Sequence, residues 1–156
     1  MNTTPHTPPA LARAKTILAV LPHIDAYCDA IAKANHTRAL ESYNPSDTYQ
    51  IMETIIDKTY KAQVLHNLRV KVLRQLEAAP KKIRQFIDLF YLRQIKLPQV
   101  REQLGLSERT SFRLVNNAEQ WFADNLEACG ITPLWFRQLV ANYNWIAQIF
   151  AEFSLL

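Results

Sequence analysis

Two glycines in 156 residues constrain this chain more than any other feature. Gly and Pro break helices and make tight turns. Here the prolines beyond the N-terminal cluster stand at only five points, Pro22, Pro45, Pro80, Pro98 and Pro133, and the stretches between them contain only Gly105 and Gly130. Apolar residues make up 49%, enough for a core and too many for a disordered chain. The expected class is all-α: a helical bundle with a long helix followed by a helix-turn-helix in the C-terminal half.

Hydrophobic spacing divides the chain. Residues 1–9 (MNTTPHTPP) are a polar, Pro-rich segment expected to be a disordered tail. From Ala10 to Ala34, Leu11, Ile17, Leu18, Leu21, Ile24, Cys28 and Ile31 form a helical stripe. Pro22 predicts a kink there, or two helices with Pro22 in a first turn. Residues 35–44 read as a loop or weak helix. Asn44 or Ser46 then caps a long helix to about Ala78, with Met52, Ile55, Ile56, Ala62, Leu65, Leu68, Val72 and Leu76 on its apolar face. A helix of that length often pairs with another, in its own chain or a second one. Lys81–Gln94 forms the next helix, with Ile83, Phe86, Ile87, Phe90 and Tyr91 apolar. The domain reading is a tail at 1–9, an N-terminal helical segment at 10–79, a helix-turn-helix domain at 80–130, and an aromatic helical segment at 131–156.

Residues 97–126 read LPQVREQLGLSERTSFRLVNNAEQWFADNL. Val100 and Leu104 share one face of a short helix. Gly105 stands where the chain leaves that helix, in the left-handed conformation Gly adopts cheaply. Leu106 plugs the corner. Ser107 caps a second helix, with Glu108 matching the dipole in its first turn. Phe112, Val115, Ala118, Phe122 and Leu126 recur at spacings of three and four and are expected to pack inward, as is Trp121. This is the layout that puts a second helix in the DNA major groove.

The second helix is expected to close over Leu126 to Gly130 with Gly130 as its C-cap, and Thr132 to cap a last helix that Asn142-Tyr143-Asn144 divides in two. That end concentrates Trp135, Phe136, Tyr143, Trp145, Phe150 and Phe153. Such a segment needs cover from its own core, a second subunit or a partner; core packing is the first expectation and self-association the second.

Charge is uneven. Residues 61–120 hold twelve Lys/Arg against five Asp/Glu, while residues 1–60 hold five against six and residues 121–156 one against three. The basic surplus therefore falls on the helix-turn-helix and the helices feeding it, as in a DNA-binding module. No apolar run reaches membrane-span length, and residues 1–15 lack a basic start followed by an apolar segment, so a secretory signal is not expected there. Cys28 and Cys129 match no metal spacing, and read as core residues of a reduced, cytoplasmic protein. The sequence shows no phosphate loop, metal-ligand set or nucleophile motif. An enzyme is therefore not expected, and neither is a cofactor, a metal or a small-molecule substrate.

The run from Lys81 to Leu126 resembles region 4 of bacterial sigma-70-type factors, where an apolar helix ending in a Phe-Tyr-Leu-like corner precedes Val-x-x-x-Leu-Gly-Leu-Ser and a recognition helix. It is closer to the ArpU-type late transcription regulators of phages and prophages. Their pattern of Ser, Arg-Thr, two residues that are often aromatic, Arg and a later Ala resembles Ser107, Arg109-Thr110, Ser111-Phe112, Arg113 and Ala118. The resemblance covers 46 residues well and the preceding helix loosely. Two positions depart from the pattern. Arg101 stands where Ala usually meets the second helix, and Ser111 where most such proteins have a Val-like core residue. A small rotation of the helix would let Phe112 fill that role, moving the base-facing position by one.

The resulting expectation is a sequence-specific transcription regulator of phage or prophage type that binds double-stranded DNA. RNA polymerase is a further expected partner. Lys81, Lys82, Lys96, Arg101 and the helix start at Ser107 would meet phosphates. Glu108, Arg109, Ser111, Arg113 and Asn116 would face the groove, where Arg reads guanine, Asn adenine and Glu cytosine. The alternative is a helical adaptor, binding polymerase or serving phage packaging, with a structural helix-turn-helix. A homodimer would suit half-site reading; its interface is expected at the aromatic end, ahead of the long helix. In the competing account those aromatics cover the core of a monomer.

Overall fold

A computed structural model describes residues 9–40 and 45–154. The expected tail up to residue 8 lies outside the described residues, as do residues 41–44 and with them the Asn44 cap. All regular structure among the described residues is helical: α1 (Ala10–Val20), α2 (Ile24–Leu40), α3 (Pro45–Glu77), α4 (Lys81–Ile87), α5 (Leu97–Leu104), α6 (Glu108–Asp124), α7 (Pro133–Asn142) and α8 (Asn144–Ser154). Short 3-10 turns occupy Leu21–His23 and Glu127–Cys129, and a π turn occupies Asp88–Leu92.

The breaks follow local chemistry. Pro22 sits inside the 3-10 turn between α1 and α2, as its missing N–H and fixed φ require. Of the two forms expected from residue 35, loop or weak helix, the chain takes the helix through Leu40. The α4 helix is wound more loosely at its end: Arg93 N–H donates to the Asp88 carbonyl at 2.9 Å, one residue beyond the α-helical register. Gln94 then turns the chain out at φ +55°. Thr132 caps α7 by accepting from Trp135 N–H at 3.2 Å, and Tyr143, in extended conformation, separates α7 from α8.

The chain forms two compact units. One comprises the described residues up to Pro22 and those from Leu73 onward. In it α1 packs against both α6 and α8, while α4 packs on α6 and α7 on α8. Ala14, Ile17 and Leu18 of α1 are buried with Phe86, Ile87, Val100, Ala118, Phe122, Leu126, Phe136 and Ile146. Each large side chain so buried contributes about 1.5–3 kcal/mol. Arg13, also buried, donates from Nη1 to the Ile131 carbonyl at 3.0 Å, holding α1 to the chain just after Gly130. Burial lowers its pKa, and Glu127 opposes that shift.

This arrangement bears on two expectations. The divisions at 79/80 and 130/131 are not boundaries, because α1 and the C-terminal helices share one core with α4–α6. The aromatic end packs in that core, the first of the uses expected for it. Phe136 and Tyr143 are buried, and Phe150 meets Phe136 edge-on at 5.1 Å.

The second unit, His23–Val72, contains α2 and most of α3 running antiparallel. Asp25 pairs with Arg69 at 3.6 Å, the Cys28 thiol donates to the Ala62 carbonyl at 3.5 Å, and Asn35 Nδ2 donates to Thr59 Oγ1 at 3.2 Å. Burial, with Asp25 and Asp29 nearby, raises the Cys28 pKa, so the thiol stays protonated. Met52 and Ile56, expected on the apolar face with Ile55 and Ala62, are instead exposed.

Candidate nucleic-acid interface

The α5–turn–α6 segment is built by its backbone hydrogen bonds. Leu106 N–H donates to the Arg101 carbonyl at 2.9 Å, and Gly105 N–H to the Glu102 carbonyl at 3.4 Å. These two bonds are the Schellman closure of a helix end, and they require a left-handed residue between them. Gly105 supplies it at φ +65°, ψ +38°. Ser107 leaves the turn extended and caps α6, its Oγ accepting from Thr110 N–H at 3.2 Å. That hydroxyl also donates to Thr110 Oγ1 at 2.8 Å.

The rear of α6 is the row Ser111, Leu114, Ala118 and Phe122, all buried. The expected row began at Phe112, which is 52% exposed. Ser111 therefore keeps the inward position and cannot face a groove. Its burial is tolerated because Oγ donates to the Glu108 carbonyl at 2.6 Å, one turn back in its own helix. Counting apolar residues favoured Phe112 over Ser111. The spacing 111, 114, 118, 122 was equally regular, and the hydroxyl's local acceptor made it usable as core.

Arg109, Arg113 and Asn116, at i, i+4 and i+7, share the opposite face and are all exposed. Gln120 continues the row, so it spans about 16 Å at 1.5 Å per residue. Phe112 projects beside this row, between Arg109 and Arg113 in sequence. Glu108 is exposed at the start of α6, and its carboxylate lies 3.9 Å from the guanidinium of the half-buried Arg101. Arg101 thus bridges α5 and the first turn of α6, which accounts for Arg where a small residue was expected. Lys96 is exposed just ahead of α5, and Lys81 and Lys82 are exposed at the start of α4.

Beside the face, α6 is tied down at its flank. Glu119 accepts from the Tyr91 hydroxyl at 2.8 Å and lies 3.8 Å from Lys15 Nζ. Nothing in the sequence pattern marked this cluster, because its members come from α1, the π turn and α6. The structure thus brings Arg109, Arg113 and Asn116 together, pairs Arg101 with Glu108, and removes Ser111. It adds Phe112 and Gln120 to the outer face. Among the described residues no cluster of His, Cys, Asp and Glu suits a metal ion, and no helix is long and apolar enough to cross a membrane. No protein-family model, curated protein or solved structure matches this chain.

Proposed function

We propose that this protein is a sequence-specific DNA-binding transcription regulator of phage or prophage type, with α5–turn–α6 as a helix-turn-helix and α6 as the recognition helix. One observation carries the reading: two arginines and an asparagine stand in a row on the exposed face of a capped helix whose rear is buried. Arg presents a bidentate fork to guanine and Asn to adenine. Lys96, Arg101 and the N-terminus of α6 at Ser107 meet phosphates, and Lys81 and Lys82 extend that contact. Glu108 does two jobs, holding Arg101 and standing at the groove edge as an acceptor for cytosine. The resemblance to sigma-70 region 4 makes RNA polymerase the second expected partner. The DNA partner, and two cysteines that form no disulfide, suit the cytoplasm.

Selection of bound sequences from random duplexes by the full chain tests this reading. Recovery of a defined site, with affinity falling steeply as salt rises, supports it. Failure to enrich any sequence overturns it. The full chain is required, since a piece confined to residues 81–130 lacks the α1 and α8 surfaces on which the core depends.

The second reading, a helical adaptor for polymerase or phage packaging, is favoured by one observation. Phe112 is a large apolar side chain exposed on the flank of α6, beside the row. Aromatics in such positions anchor protein interfaces. In that case the full chain selects no DNA, and Phe112→Ala abolishes capture of the protein partner.

A further inference from the structure

Residues 49–60 of α3 carry an apolar row that nothing within its own unit covers. Tyr49, Met52, Ile56 and Tyr60 recur at spacings of three and four, share one helix face, and are 55% to 69% exposed. Single exposed apolar residues need no explanation, but a contiguous row does. The hairpin that bears it has little core. Among the described residues from Asp25 to Val64 none is buried, and α2 meets α3 through half-buried side chains and a few polar contacts.

We propose that this row pairs with the same row of a second copy, in an antiparallel two-fold contact between α3 helices centred at the level of residue 54. An isologous interface must be self-complementary, and the row is so patterned: aromatic, aliphatic, aliphatic, aromatic. About that axis Met52 meets Ile56 of the second copy twice. Tyr49 meets Thr59 and Tyr60 of the second copy at each end, in the alternating layers of an antiparallel helix pair.

Area and charge agree with this occupant. At ~150–250 Å² for a large side chain, the exposed parts of these four give on the order of 500 Å² of apolar surface per copy. A standard interface buries about 800 Å² per partner, so the row fills the centre and Glu53, Thr59 and Gln63 form the rim. Residues 23–60 hold three basic against six acidic residues, which disfavours nucleic acid or an anionic membrane at this end. One feature opposes the pairing. Glu53 flanks the axis and faces its own counterpart, so the two carboxylates repel and limit affinity. The contact does not depend on DNA binding.

Sedimentation equilibrium on the full chain, from about 1 to 100 μM, tests the proposal, since a dimer's population follows protomer concentration. The expected mass approaches twice the 18.0 kDa of one chain. Met52→Glu with Ile56→Glu gives a monomer of unchanged helix content by circular dichroism, because both side chains are more exposed than buried. If that double variant loses helix, Ile56→Gln alone still weakens the dimer. Glu53→Gln tightens it by removing the like-charge pair. A wild-type monomer at the highest concentration overturns the proposal and gives the row to a different partner. A dimer indifferent to Met52 and Ile56 overturns it as well, and a Glu53→Gln chain no tighter than wild type overturns the antiparallel register.

Discussion

The Tyr91 hydroxyl donates a 2.8 Å hydrogen bond to Glu119 Oε1, joining the π turn to the flank of α6. Lys15 approaches the other carboxylate oxygen at 3.8 Å, so α1, the π turn and α6 meet at one residue. The exposed face of α6 can present a rigid row only if the helix cannot roll, and this contact resists rolling. Replacing Tyr91 with Phe removes the donor and leaves a largely buried carboxylate short of a partner. The expected loss is about 1.5–3 kcal/mol, the range for a hydrogen bond to a charged group, read from urea unfolding. A loss below a few tenths would show that α6 is held by packing alone.

The same phenol gives a pH dependence. Burial, then the Glu119 charge and hydrogen bond, push the Tyr91 pKa well above its usual value of 10.0. A group whose folded pKa is raised stabilises the fold fully below its unfolded pKa, and that stabilisation is lost as pH rises above it. Stability should therefore decline above pH 10, and Tyr91→Phe should flatten the decline. Parallel alkaline profiles for the two chains would assign it to other groups.

The turn before α6 depends on Gly105. A Cβ there would meet nothing within 4 Å, so space is not the constraint. The φ of +65° is the constraint, since a β-branched residue is strained in that region. Gly105→Val should cost about 1–3 kcal/mol, and Gly105→Asn less, because Asn tolerates the left-handed region. Thermal unfolding of the two variants checks the order; equal melting temperatures would place the strain elsewhere.

Local features of the fold were legible wherever a single residue type decides the geometry. Pro22, Gly105, Ser107, Thr132 and the break at Tyr143 act within one turn of chain, and each is found where spacing put it. Gly130 is left-handed as expected but caps the 3-10 turn Glu127–Cys129, because α6 itself ends earlier, at Asp124. Two kinds of feature were not legible. Residue partnerships between distant segments, such as α1 against α6 and α8 or Tyr91 with Glu119, leave no periodic trace. The other kind is a choice between adjacent stripes. Ser111 and Phe112 both fit helical spacing, and hydrophobicity pointed to the wrong one, because a short hydroxyl can bond its own backbone while Phe112 is left free. On α3 the same ambiguity merged Met52 and Ile56 with Ile55 and Ala62, which lie on different sides.

If the reading of α6 is right, its exposed residues divide by role. Arg109→Ala should cost about 1–3 kcal/mol on the selected site and relax preference at one base pair. Lys96→Ala should weaken all sequences alike and lower the slope of log affinity against log salt by about one. Titrations on the selected site and a scrambled duplex at several salt concentrations separate these outcomes. A uniform loss for Arg109→Ala would move it to the phosphate-contacting set.

Phe112 bears on both readings of the molecule. In a major groove an exposed ring beside Arg109 and Arg113 has one apolar feature to meet, the C5 methyl of thymine. Uracil keeps every hydrogen-bonding group of thymine and lacks that methyl, so the exchange isolates the contact. Losing it costs about 0.8 kcal/mol, roughly fourfold in affinity. Wild-type protein should therefore bind the selected site less tightly when one particular thymine is replaced by uracil. Phe112→Ala should bind both duplexes equally, at the weaker level. The adaptor reading gives a different pattern, in which Phe112→Ala changes no DNA affinity and uracil makes no difference at any position. Scanning the site one thymine at a time with both chains decides between them, and locates the base pair that lies against α6 at this turn of the helix.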